Sequence, residues 1–145
     1  MSEARRGQRG KERGSAVIEF AGVFLMFFLV MYGIVAYGII FAIRHSLTQA
    51  VNEGARAAVA DVGGLDVRKK LAEDTAATAI AWLGTRAPVP VVTSAPCAAT
   101  PFLCLKVTLA YDYAVNPIIP ALPVLPLPAS ITAEATVELD AVNFF

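Results

Sequence analysis

The chain has 145 residues and a formal net charge of zero, with 57% hydrophobic and 17% charged residues. That is too apolar for an ordinary soluble domain of this length, in which about a quarter of residues are charged, and no basic stripe offers a nucleic-acid surface. The charge is also unevenly placed. Residues 1–14 carry five basic groups (Arg5, Arg6, Arg9, Lys11, Arg13) and two acids, which leaves seven basic against ten acidic groups, a net of −3, in the remainder.

Residues 1–14 are polar, basic and glycine-containing, and read as a leader that is disordered or lies on lipid headgroups. From Phe20 to Ile43 no charged residue occurs. As a helix that run rises ~36 Å, enough to cross a hydrocarbon core of ~30 Å with some tilt. Because Lys and Arg stay on the cytoplasmic side, the basic flank predicts a cytoplasmic N-terminus and an outward-facing remainder. A cleaved secretory signal would have a shorter apolar region followed at once by a small-residue cleavage site. Here the nearest such motif, Ala58-Val59-Ala60, lies far beyond the run. The helix is expected to stay in the protein.

Past Arg44 and His45 the apolar residues fall at Leu47, Val51, Gly54/Ala55, Ala58 and Val62, with Thr48, Asn52, Glu53 and Arg56 between them. This is a helical period, so one helix is predicted from about Ala16 to Val62, half in lipid and half in water, ending at Gly63-Gly64. A second helix is predicted from an Asp66 N-cap through Leu71, Ala79 and Trp82 to Gly84, with Trp82 in the core.

The period then changes to two. In "FLCLKVTLAYDYAV" Leu103, Leu105, Val107, Leu109, Tyr111, Tyr113 and Val115 alternate with smaller or polar residues. In "SITAEATVELDAV" Ile131, Ala133, Ala135, Val137 and Leu139 do the same. Both read as half-buried strands. A shorter strand, about Val89–Thr93, is interrupted by Pro90 and belongs at an edge. The segment "NPIIPALPVLPLPAS" holds five of the nine prolines and reads as a stiff, extended connection whose apolar residues either lie over the core or contact a partner. The predicted class is therefore α+β: a long N-terminal transmembrane-to-periplasm helix, a second helix, and a small antiparallel sheet of about three strands.

Six residues separate Cys97 from Cys104. An oxidising exterior argues for a disulfide over free thiols, and closing so short a ring stabilises by about 2–3 kcal/mol. Metal binding is not predicted, since His45 is the only histidine and sits at the membrane edge. Arg44 and His45 read as residues that snorkel to the interface. Tyr32 and Tyr37 read as packing surface, and Gly38 with Ala42 has the small-xxx-small spacing that allows close helix approach. Neither a phosphate loop nor a nucleophile elbow occurs, so no enzyme and no cofactor are predicted.

Glu19 is the unusual residue. A carboxylate at the bilayer centre costs ~2.5–3.5 kcal/mol, falling toward the interface. Snorkelling explains Glu19 alone, but not its step after a basic leader that ends in Gly14. The stretch "RGSAVIEF" resembles a prepilin cleavage site of the type IV pilin superfamily, in which a basic leader is cut after glycine and glutamate is the fifth mature residue. The following "GIVAYGIIFAIRHSLTQAVNEGARAAVA" resembles the TadE-like family, most closely at Asn52-Glu53-Gly54-Ala55-Arg56-Ala57-Ala58. Together these cover roughly residues 10–60. Two positions depart from the family pattern. A proline often follows the Glu-Phe pair where this chain has Ala21-Gly22-Val23-Phe24, and an acidic residue often stands mid-helix where it has Ala36-Tyr37-Gly38.

The resemblance implies a minor pseudopilin of a Tad (tight adherence) pilus system, cleaved between Gly14 and Ser15 by an inner-membrane prepilin peptidase. It makes Glu19 the fifth mature residue and Phe20 the sixth. The new α-amino group of Ser15, with a reference pKa of ~7.7–8.0, would be neutralised by Glu19 in the same chain or in a neighbour. The implied partners are the inner membrane, the peptidase, other pilins and pseudopilins of the system, and the inner-membrane assembly platform. The implied parts are a leader (1–14), a transmembrane helix (15–43), its amphipathic continuation (44–64) and a periplasmic α+β domain (65–145). The competing expectation is a signal-anchored periplasmic domain unrelated to pili.

Overall fold

The computed structural model describes residues 9–60, 63–98 and 102–139, with side chains from Gly14 onward. Helix α1 spans Arg9–Val59, α2 spans Leu65–Ala79, and a 3-10 turn covers Ala81–Arg86. Three strands follow, β1 (Val91–Pro96), β2 (Leu103–Asp112) and β3 (Ser130–Leu139), in one antiparallel sheet of order β1-β2-β3. The α+β class stands as predicted. The chain divides into two units, one ending at Gly38 and a compact one from Ile39 onward.

In the first unit α1 begins at Arg9, so the backbone of Arg9–Gly14 is helical; residues 1–8 lie outside the described residues. From Val17 to Val35 nearly every large apolar side chain points outward. Such a helix is stable only where the solvent is itself apolar.

In the second unit α1 turns one face inward. Ile43, Leu47, Ala50, Val51, Ala55 and Ala58 are buried, at the three- and four-residue steps of one helix face. On the opposite face Thr48 Oγ1 donates to the Arg44 carbonyl, and Asn52 Nδ2 donates to the Thr48 carbonyl. The helix ends at Val59; Val62, where the sequence places its end, lies outside the described residues.

Helix α2 differs from its sequence reading in three ways. Its N-cap is Gly64, Asp66 makes no side-chain cap, and the helix stops at Ala79. Its buried face is Arg68, Ala72 and Ala76, continued by Ile80 and Leu83. The change to 3-10 pitch after Ile80 turns Trp82 outward, where it is 58% exposed. The small inward residues have a cause in α1: a Cβ on Gly54 would lie 2.8 Å from the Ala72 carbonyl oxygen and 3.1 Å from Ala76 Cβ. Only glycine opposite alanine lets the two backbones approach this closely. Gly63, at φ +99°, makes the turn between the helices in a region open to glycine.

Strands β2 and β3 follow the predicted alternation. Leu105, Val107, Leu109, Tyr111, Ile131, Ala133 and Leu139 are buried against the helices, while Lys106 and Glu134 pair at 2.6 Å on the other face. Strand β1 is an edge strand as expected but starts two residues later, immediately after Pro90, which has no N–H to contribute to a ladder. The proline-rich connection lies partly over the core through Ile118 and Leu127, while Val115 and Val124 stay exposed.

Candidate assembly site at the head of the apolar helix

Gly14, Ser15, Glu19 and Phe20 all lie in α1 and are all exposed. Ser15 and Glu19 are four residues apart, so their side chains fall on one face of the helix. Glu19 is exposed and pairs with no other described residue. The Gly14–Ser15 peptide lies inside continuous helix, six residues from its start. Any peptidase that needs an extended backbone must unwind that turn. Glycine makes helix opening easier by roughly 1 kcal/mol relative to alanine.

Directly below Glu19 stands a feature the sequence reading passed over. Phe20, Phe24 and Phe28 stack along one helix face, with ring centroids 6.0 Å apart at 22° and 6.5 Å apart at 25°. All three rings are exposed, by 70%, 54% and 45%. The signal was legible as Phe at steps of four. Glu19 and Phe20 are adjacent in sequence, so the carboxylate stands about 100° round the helix from this ladder, on a neighbouring face. A partner helix of like character could pack on the ladder while its own cation met the acid.

The remaining singled-out residues lie elsewhere. Cys97 and Cys104 form a disulfide that closes the β1–β2 connection, with Cα atoms 5.0 Å apart. Glu138 approaches both sulfurs. Disulfide sulfurs are not thiolates, so this trio lacks the donors a metal ion needs. Sequence reasoning also missed Arg68, the buried cation of the globular unit. Its Nε donates to the Gly63 carbonyl at 3.0 Å and its Nη1 to the Ala58 carbonyl at 3.1 Å, capping the end of α1 where the helix dipole is negative. No sequence period marks an arginine that folds back on a preceding helix.

Among the described residues these features define one helix long and apolar enough to cross a membrane, followed by a small disulfide-closed α+β unit. Residues 14–56 match the model of the family described as TadE-like protein, a match that covers this segment and not the rest of the chain. The match opens at Gly14, takes in Glu19 and the aromatic ladder, and stops before α2 and the sheet. No curated protein and no solved structure matches the chain.

Proposed function

We propose that the chain is a minor pseudopilin of a Tad-type pilus, made as a precursor and cleaved after Gly14. The observation that carries this reading is the coincidence of three features at one helix end: the start of the TadE-like match, an exposed acid with no partner among the described residues, and an exposed apolar ladder. In this mechanism the basic leader holds the N-terminus in the cytoplasm while the globular unit faces the periplasm. Cleavage leaves an ammonium on Ser15 at the edge of the lipid. Glu19 of the same or an adjacent subunit neutralises it, and helices that slip out of step leave both charges uncompensated in a poor solvent for them. The pair therefore sets register while Phe20, Phe24 and Phe28 supply packing area. The protein performs no catalysis in this reading; it initiates fibre assembly or links the fibre to its platform.

Intact-mass measurement on protein from the producing cell tests the first step, with Ser15 expected as the mature N-terminus. The Glu19→Ala variant tests the second: it should insert in the membrane as the wild type does and yet lose piliation and surface attachment. A wild-type mass that begins at Met1, or unchanged fibres in Glu19→Ala, would reduce the protein to an anchored periplasmic domain.

A further inference from the structure

The path of the chain fixes which end of the globular unit each loop occupies. Helix α1 enters this unit at Ile39 and leaves it near Ala58. Helix α2 returns antiparallel, since Arg68 bonds the Ala58 carbonyl while Ala72 and Ala76 face Gly54. The 3-10 turn Ala81–Arg86 is thus carried back toward Ile43. Strand β1 starts at that end, with Val91 opposite Thr108, and runs away to Pro96 opposite Leu103, where the disulfide lies. Strand β2 comes back to Asp112. The proline-rich connection, residues 113–129, therefore sits at the end where α1 enters, and the disulfide sits at the far end.

Helix length gives that end its level. Residues 20–38 rise ~28 Å as helix, which already matches a hydrocarbon core of ~30 Å. Residues 39–43 are uncharged too, yet they belong to the globular unit: Ile43 is fully buried, and Ile39 and Ile40 pack against its core. The unit thus begins at headgroup level, before the first charge at Arg44. The connection is suited to the same place. No charged residue occurs from Tyr113 to Ala133. Val115 and Val124 are 72% and 73% exposed, and Leu122 is also exposed. Its five prolines have no N–H to leave unpaired in a poorly hydrated layer. The base is closed by Ala114 N–H donating to the Ala129 carbonyl, and a turn by Leu125 N–H donating to the Leu122 carbonyl.

We propose that residues 113–129 form a lipid-interface wedge, in which Val115, Leu122 and Val124 enter the phospholipid headgroup region and seat the globular unit on the bilayer. This rests on the reading that residues 20–38 cross the membrane, and it adds a second contact with lipid.

The test uses the full chain in phosphatidylcholine vesicles whose acyl chains carry bromine at shallow or at deep positions. In a Trp82→Phe background, single tryptophans are placed by Val124→Trp, by Val30→Trp and by Ala98→Trp beside the disulfide. Fluorescence of the Val124→Trp variant should move to the blue and be quenched by the shallow bromines. The Val30→Trp variant should be quenched by the deep ones and the Ala98→Trp variant by neither. Val115→Trp, at a second exposed position, guards against a local effect of one substitution. If Val30→Trp is quenched while Val124→Trp and Val115→Trp behave like Ala98→Trp, the wedge is wrong and the patch awaits a protein partner or water. If Val30→Trp is itself unquenched, the membrane reading fails first.

Discussion

Helix α1 contains two stretches that share a backbone and differ in what surrounds them. Between Phe20 and Met31 the side chains are apolar on every side and exposed, with Met26 at 77%. Between Ile43 and Ala58 only one face is apolar, and its residues are buried. The difference lies in where the stabilising surroundings come from. The second stretch draws them from its own chain through α2 and the sheet. The first has no such cover and needs lipid or another helix. A residue's chemistry therefore does not fix its energetic role here; its position along the helix does.

The largest break in that comparison comes from truncating one leucine in each stretch. Leu47 is fully buried and Leu25 is 66% exposed. Leu47→Ala removes packed side-chain atoms and leaves a cavity, at a cost of about 3–5 kcal/mol. Leu25→Ala should leave the unfolding midpoint of the globular unit unchanged, because Leu25 is exposed and belongs to the other unit. Urea unfolding in micelles, followed by near-ultraviolet circular dichroism, reads both. Equal shifts would mean that the two stretches fold as one unit.

The next effect belongs to the end of α1. Arg68→Gln shortens the side chain and removes the cation that bonds the Ala58 and Gly63 carbonyls. Hydrogen bonds from charged donors contribute about 1.5–3 kcal/mol, and desolvation of the buried guanidinium offsets part of this, so a loss of about 2 kcal/mol is expected in the same assay. Amide exchange should rise in the last turn of α1 and in the first turn of α2, and stay unchanged in β2.

Glycines sharpen the contrast further. Gly38 has no heavy atom within 4 Å of where a Cβ would stand, whereas Gly54 meets the Ala72 carbonyl. Gly38→Ala gains the ordinary helix propensity of about 0.8–1.0 kcal/mol. Gly54→Ala gains the same and loses about 1–3 kcal/mol to overpacking against backbone, for a net destabilisation of about 1 kcal/mol. Opposite signs at two glycines of one helix are the expected result.

What the sequence revealed and what it concealed follow the same division. The charge-free run, the four-residue steps from Leu47 to Ala58 and the alternation from Leu105 to Tyr111 each repeat with a period, and each appears in the fold. Trp82 was misplaced because Ile80 ends α2 and the pitch tightens, a change made by tertiary packing and not by any local motif. Asp66 reads as a cap by residue type, but Gly64 occupies that position because the turn after α1 begins with Gly63 at positive φ. At the candidate assembly site, Gly14 and Glu19 were legible from their spacing. The aromatic ladder was visible as spacing too, yet gained meaning only when its rings proved exposed. Arg68 had no signal of this kind, since the Gly63 and Ala58 carbonyls that it bonds belong to the backbone and carry no residue type.

The smallest expected effect lies in the globular unit alone and has no counterpart in the first stretch. Tyr111 is buried, and its hydroxyl donates to the Asn116 carbonyl at 2.6 Å, which pins the start of the proline-rich connection. Burial raises its pKa above the ordinary 10.0; the nearby Arg86 cation opposes the shift, and Tyr113 adds to it. The folded state thus holds this proton more tightly than the unfolded chain does. Its contribution to stability is fully present below about pH 10 and falls as pH rises from there through the folded-state pKa. Tyr111→Phe should cost about 0.5–1 kcal/mol at neutral pH, because water can replace the lost donor at an exposed carbonyl. The same substitution should flatten the loss of stability above pH 10, so wild type and variant converge as alkalinity increases. Parallel curves would place the alkaline transition on another group and leave Tyr111 only its hydrogen bond.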